Sequence, residues 1–198
     1  MTRNLRDILN DIDLLRTELE TELESRRTQL GWKLRDGLVK FEQGVTAEHR
    51  KLRVGVARFL ANSNPGTILT APVIYSLIFP FVLVDLWISV YQHICFRAYG
   101  IERVRRADYI RFDRGRLRYL NWIEALNCTY CSYANGVIAY VREIASRTEQ
   151  YWCPIKHALR LRDPHARYDD FIEYGDAAGY RERLEALRQE LRETRRQP

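Results

Sequence analysis

The chain has 198 residues, 46% hydrophobic and 29% charged, with 32 Lys and Arg against 26 Asp and Glu and a formal net charge of +6. That length holds one ordinary domain or two small ones, and that balance excludes a disordered chain in favour of a globular or membrane-attached one. Four cysteines are too few for a disulfide-built mini-protein, and the charged opening "MTRNLRDILNDIDLLRTELE" lacks the apolar core of a secretory signal, so free thiols in a reducing cytoplasm are expected.

Residues 5 to 60 repeat apolar side chains near helical spacing, from Leu5, Ile8, Ile12, Leu15, Leu19 and Leu23 through Leu30, Leu34, Leu38 and Phe41 to Val56 and Phe59. The pattern predicts a long amphipathic helix or helical hairpin over residues 1–63, with a bend near Gly31. Its apolar stripe needs a partner, either the chain's own bundle or a coiled coil between copies.

"ANSNPGT", residues 61–67, is turn chemistry. Beyond it no charged side chain occurs until Asp85, and the segment stays apolar as far as Arg97. Pro72 and Pro80 interrupt it and leave a longest clean piece of about 24 Å, shorter than a bilayer core. Arg50, Lys51, Arg53 and Arg58 precede the segment, and Arg97, Arg103, Arg105 and Arg106 follow it. The positive-inside rule therefore places both flanks on the cytoplasmic side, which predicts an apolar membrane-embedded hairpin over 64–99 with helices at roughly 68–79 and 81–96. The other reading is a hairpin buried in a soluble bundle. Asp85 is costly in lipid, so it pairs with a basic side chain or acts as an intramembrane acid.

"RVRRADYIRFDRGRLRYLNW", residues 103–122, interleaves seven arginines with aromatic rings. Such a stretch can bind single-stranded nucleic acid. Its place beside the apolar segment instead points Arg97, Arg103, Arg105, Arg106 and Arg111 at anionic lipid headgroups. Helices are predicted over 114–134 and 137–152, separated by Asn135-Gly136 as a stop, and a further helix is expected to open at Cys153-Pro154. These lie in a basic, Cys/His-bearing helical domain over 100–174. A charged helix over 175–198 carries Leu184, Leu187 and Leu191 as a narrow stripe suited to a partner helix.

Cys128 and Cys131 at CxxC spacing, with Cys153 and His157 at CxxxH spacing, have the ligand types of a tetrahedral Cys3His zinc site, with an iron-sulfur cluster as the alternative. On helices each pair shares a face. If Gly136 to Trp152 is helical throughout, however, the halves stand about 30 Å apart. Either the chain doubles back between them, or a second copy completes the site, or no metal binds. The CxxC pair alone is a redox candidate, although no strand precedes it. Nucleotide loops, catalytic triads and paired-carboxylate constellations are not found in the sequence.

"LNCTYCSYANGVIAYVREI" followed by "RTEQYWCPIKHA", together with "APVIYSLIFPFVLVDLWISVYQ", resembles an uncharacterised family of bacterial, largely proteobacterial, membrane-associated proteins. The resemblance runs from about residue 60 onward. It implies bacterial origin and membrane association and transfers no activity or ligand. The combined expectation is an all-α binding or scaffold protein of the bacterial inner membrane, its bulk cytoplasmic. Lipids, further copies or partner helices are its expected partners, ahead of nucleic acid. A membrane-associated redox protein using an iron-sulfur cluster or the CxxC dithiol is the alternative.

Overall fold

The computed structural model describes residues 5–29, 32–35, 38–41 and 43–194. The described chain is mostly helical and divides into two compact units, residues 1–62 with 113–125 and residues 63–112 with 126–198.

In the first unit, α1 (Leu5–Gln29) is followed by a short antiparallel hairpin of β1 (Trp32–Arg35) and β2 (Leu38–Phe41), with Trp32 opposite Phe41 and Arg35 opposite Leu38. The single helix or helical hairpin expected over this region thus gives way to strands after Gln29. Gly31, where a bend was expected, lies outside the described residues. The sequence signal for the hairpin is Asp36-Gly37, two residues of the type that joins paired strands, set between apolar residues. Helices α2 (Gln43–Lys51) and α3 (Val56–Ala61) complete the N-terminal part. Along α1, Leu15, Leu19 and Leu23 repeat every four residues and are exposed. The 113–125 segment contributes Tyr119, edge-on to His49 at 5.2 Å, and the buried Asn121, which donates to the Val54 carbonyl at 3.4 Å.

In the second unit, α4 (Pro65–Ser76), α5 (Ile78–Tyr91), a π turn (Gln92–Phe96) and α6 (Arg97–Tyr99) form one helical run of 35 residues. The expected hairpin is therefore absent. The two prolines fail to break the run for identifiable reasons. Pro72 removes one hydrogen bond from α4, whereas Pro80 is the third residue of α5, where a missing N–H costs little because the first N–H groups of a helix lack intrahelical acceptors. Leu77 at the joint keeps right-handed helical angles, φ −64° and ψ −11°. Reversal comes only at Gly100, whose φ of 76° is left-handed backbone that glycine adopts freely. Asn64 caps the start of the run, its side chain accepting from Gly66 N at 2.8 Å.

A second long helix, α8 (Trp122–Trp152), runs beside α4 and α5 in the same direction: Tyr75 bonds Asn127, Tyr133 bonds Asp85, and Tyr91 lies 3.0 Å from Thr148. The strap of residues 100–112, which includes α7 (Arg106–Tyr109), packs on both, and α9 (Ala177–Thr194) closes the far end. Phe96, Ile101, Val104, Tyr140, Ile144 and Leu191 form the core. The α9 stripe thus finds its partner in its own chain, with Leu187 and Leu191 buried. Gln150 and Arg188 tie α8 to α9 through the Leu187 and Tyr151 carbonyls at 3.0 and 2.8 Å.

Two helix limits differ from expectation. The α8 helix starts at Trp122, not near 114, because Asn121-Trp122-Ile123-Glu124 is a capping box. Asn121 Oδ1 accepts from the N–H groups of Ile123 and Glu124, and Glu124 Oε2 accepts from Asn121 N. It also continues through Asn135-Gly136, where a stop was expected. Gly136 serves packing instead: a Cβ there would meet Ile110 Cγ1 and the Tyr109 carbonyl oxygen, each at 2.9 Å.

Candidate membrane segment and the cysteine positions

The helical run Pro65–Tyr99 is long and apolar enough to cross a membrane; its most apolar 18 residues have a mean hydropathy of 2.1, and 6% of that window is buried. Its apolar side chains face outward, with Leu69, Phe79 and Trp87 exposed by 81%, 76% and 72%. The same-side placement of the two basic flanks predicted a hairpin, and the structure has one helical run in its place. At 1.5 Å per residue it measures about 52 Å, so a bilayer core of about 30 Å takes only part of it.

Asp85 is the single charged side chain between Arg58 and Arg97, and it is buried. Arg106 donates to both of its oxygens, from Nε at 2.9 and 3.1 Å and from Nη2 at 2.6 Å, and Tyr133 OH donates at 2.9 Å. This planar two-pronged pairing meets the requirement for a carboxylate in apolar surroundings, which must be both neutralised and hydrogen-bonded. Two elements deliver the donors. Gly136 lets the 109–110 backbone lie against α8, which brings Arg106 of α7 over α5. Tyr133 extends from α8 and stacks on Phe112 of the strap at 6.4 Å. Burial raises the Tyr133 phenol above its ordinary value, and the hydrogen bond to Asp85 adds to this, so it remains a donor.

A second buried polar contact holds the π turn. Gln92 accepts from Val104 N at 2.9 Å, donates to the Val104 carbonyl at 3.3 Å and bonds the Tyr140 hydroxyl. The remaining members of the sequence-predicted basic cluster part company around it. Arg105 and Arg111 lie 3.9 and 3.8 Å from Asp108, and Arg103 Nη1 lies 2.7 Å from His93 Nδ1.

The four predicted metal ligands do not come together within the chain. Cys128 and Cys131 share one face of α8, half-buried and exposed respectively, and the helix runs unbroken from them to Trp152. Cys153 follows that end, 22 residues beyond Cys131, or about 30 Å along the axis. The chain therefore does not fold back between Gly136 and Trp152. Nor does a new helix open at Cys153-Pro154: Ile155 bridges Ile172, with Lys156 N donating to the Ile172 carbonyl at 2.7 Å and Ile172 N to Pro154 at 2.8 Å. On an extended stretch residues four apart are separated by about 13 Å, twice the spacing across a helical turn, so Cys153 and His157 are not a ready half-site. His157 stacks on Tyr168 at 6.2 Å. Burial, and then the charge of Glu149, push the Cys153 thiol above its ordinary value. Among the described residues no group of three or more His, Cys, Asp or Glu side chains is placed to hold a metal ion.

A polar network escaped the sequence reading. Glu143 accepts from Arg147 Nε at 2.8 Å and from Arg167 Nη1 at 2.9 Å, Arg167 also reaches Ser146 Oγ at 2.9 Å, and His165 Nε2 lies 2.9 Å from Glu149 Oε2. Burial alone would raise the Glu143 carboxyl, but Arg167 and Arg147 outweigh it and hold Glu143 below its ordinary value. The Glu143–Arg147 spacing of four is a readable helix pair. Arg167 and His165 come from a loop that no periodicity marks. No protein-family model, curated protein or solved structure matches this chain.

Proposed function

We propose that this protein is a bacterial inner-membrane helical scaffold, with the outward face of Pro65–Tyr99 set against the lipid of the bilayer and residues 153–194 of the second unit, beyond the end of α8, serving as its binding body outside the hydrocarbon. The outward-facing apolar surface of that run supports the reading: soluble proteins rarely leave so long an apolar helix uncovered. The Asp85–Arg106 pair fits it, because a neutralised, hydrogen-bonded acid is the form in which a carboxylate is tolerated on such a helix. The reading predicts that the chain sediments with membranes, stays there in high salt and is released by detergent. A chain that is fully soluble without detergent contradicts it.

The metal reading takes an intermolecular form. Cys128 and Cys131, accessible on one face of α8, offer half of a zinc or iron-sulfur site that a second copy would complete. Exposed Leu15, Leu19 and Leu23 on α1 suit the helix pairing that a homo-oligomer would use. Elemental analysis of protein purified without oxygen tests this. A metal lost in Cys128→Ser, at one atom or one cluster per two chains, supports it; metal-free dimers or metal-bound monomers overturn it.

A further inference from the structure

A cleft of about 630 Å³ opens beside the π turn, and its rim carries His93, Arg97, Arg103 and Arg105 with Glu102 as its one acid. The chain builds it through the buried Gln92 amide, which grips Val104 from both sides, and the wholly buried Phe96, whose carbonyl accepts from Ile101 N at 2.9 Å. These contacts bring the 101–105 strap against the end of the apolar helix, with Arg103 beside His93.

The charges on the rim are not equally free. Glu102 lies 3.7 Å from Arg147 Nη1, and Arg105 lies 3.9 Å from Asp108. Arg97 makes no ion pair or side-chain hydrogen bond among the described residues, and Arg103 contacts only His93. Two guanidiniums thus remain for an anion, in a side chain whose planar fork matches phosphate oxygens. The cleft also continues an apolar surface. Leu86, Val90, His93 and Arg97 follow at steps of four, three and four, which places them along one face of the helix, and Leu86 and Val90 are exposed.

A basic cleft continuous with an exposed apolar helix face matches a ligand with a phosphate at one end and hydrocarbon at the other. We infer that this cleft binds the headgroup of an anionic phospholipid, its phosphate between Arg97 and Arg103 and its acyl chains along Val90 and Leu86. The inference rests on the reading of Pro65–Tyr99 as membrane-inserted and adds a specific site to it.

The test is native mass spectrometry of the full chain, released from membranes in non-ionic detergent, with phosphatidylglycerol, phosphatidylcholine or inorganic phosphate added separately. Phosphatidylglycerol should be retained in preference to phosphatidylcholine. Its affinity should fall roughly 30-fold in Arg97→Gln/Arg103→Gln, taking both headgroup contacts together, and stay unchanged in Arg160→Gln/Arg162→Gln, which removes the same charge from a loop. Should the double variant misfold by circular dichroism, Arg97→Gln alone decides, since that guanidinium bonds nothing among the described residues. Equal retention of the two lipids, or equal loss in the loop variant, overturns the site. Retention of inorganic phosphate with the same arginine dependence but not of phosphatidylglycerol overturns the lipid reading in favour of a soluble anion. Each of these failures leaves the wild type in the membrane fraction, whereas failure of the membrane reading leaves the wild type soluble.

Discussion

Arg106 connects the strap to the apolar helix through one carboxylate, so its removal has a specific consequence. Arg106→Ala leaves Asp85 buried and short of its donors. Because Arg106 is itself partly exposed, a loss of about 2–3 kcal/mol is expected, below the full cost of breaking a buried pair. Asp85→Asn/Arg106→Gln should recover part of it, and chemical denaturation in detergent measures both. Gly136 gives a second residue-scale prediction. Gly136→Ala gains helix propensity but drives a Cβ into the Tyr109–Ile110 backbone, for a net loss of about 1–2 kcal/mol. Gly55→Ala, with nothing within 4 Å, should change the thermal midpoint little. Glu143 supplies the pH dependence. Its folded value lies below its ordinary one, so its contribution is full above the ordinary carboxylate range and is lost as pH falls from that range through the lower folded value. Denaturation curves at several pH values should show this loss in the wild type and much less of it in Arg167→Gln.

At the scale of elements, legibility followed how local each cause was. The apolar run, the α1 helix and the α9 leucine stripe were readable because periodicity and composition specify them within a few turns. Asp85 raised the need for a basic partner, but that the partner is Arg106, 21 residues on, depends on how the strap returns. The hairpin expectation rested on reading the prolines as breaks and on basic residues at both flanks; Pro80 instead occupies a first-turn position where its missing N–H matters little. Asn135-Gly136 was misread for a related reason, since glycine stops helices and also admits close neighbours, and only the Tyr109–Ile110 approach distinguishes the two. The metal spacing failed at Pro154, where the chain leaves the helix and bridges to Ile172. Signals that were present but unread include the Asn121–Glu124 capping box and the Asp36-Gly37 pair. The stripe's partner is testable at this scale. Leu187→Ala should cost about 2–4 kcal/mol as a buried truncation and loosen α9 first, seen as faster amide exchange there than in α8.

For the whole molecule, the central question is what covers the outer face of Pro65–Tyr99. The core of the second unit lies on the other side of that run, among Phe96, Ile101, Tyr140 and Ile144. Lipid is the cover that asks for no complementary shape. It also explains why Asp85 turns toward Arg106 and Tyr133 while Leu83, Leu86 and Trp87 are exposed. Trp87 reports on this directly. Reconstituted into vesicles of acyl-chain-brominated phosphatidylcholine, the full chain should show tryptophan emission quenched well beyond that of Trp87→Phe, because bromines in the hydrocarbon reach a ring on the exposed face. Equal quenching in the two proteins, with the chain recovered outside the vesicles, would contradict insertion of this helix.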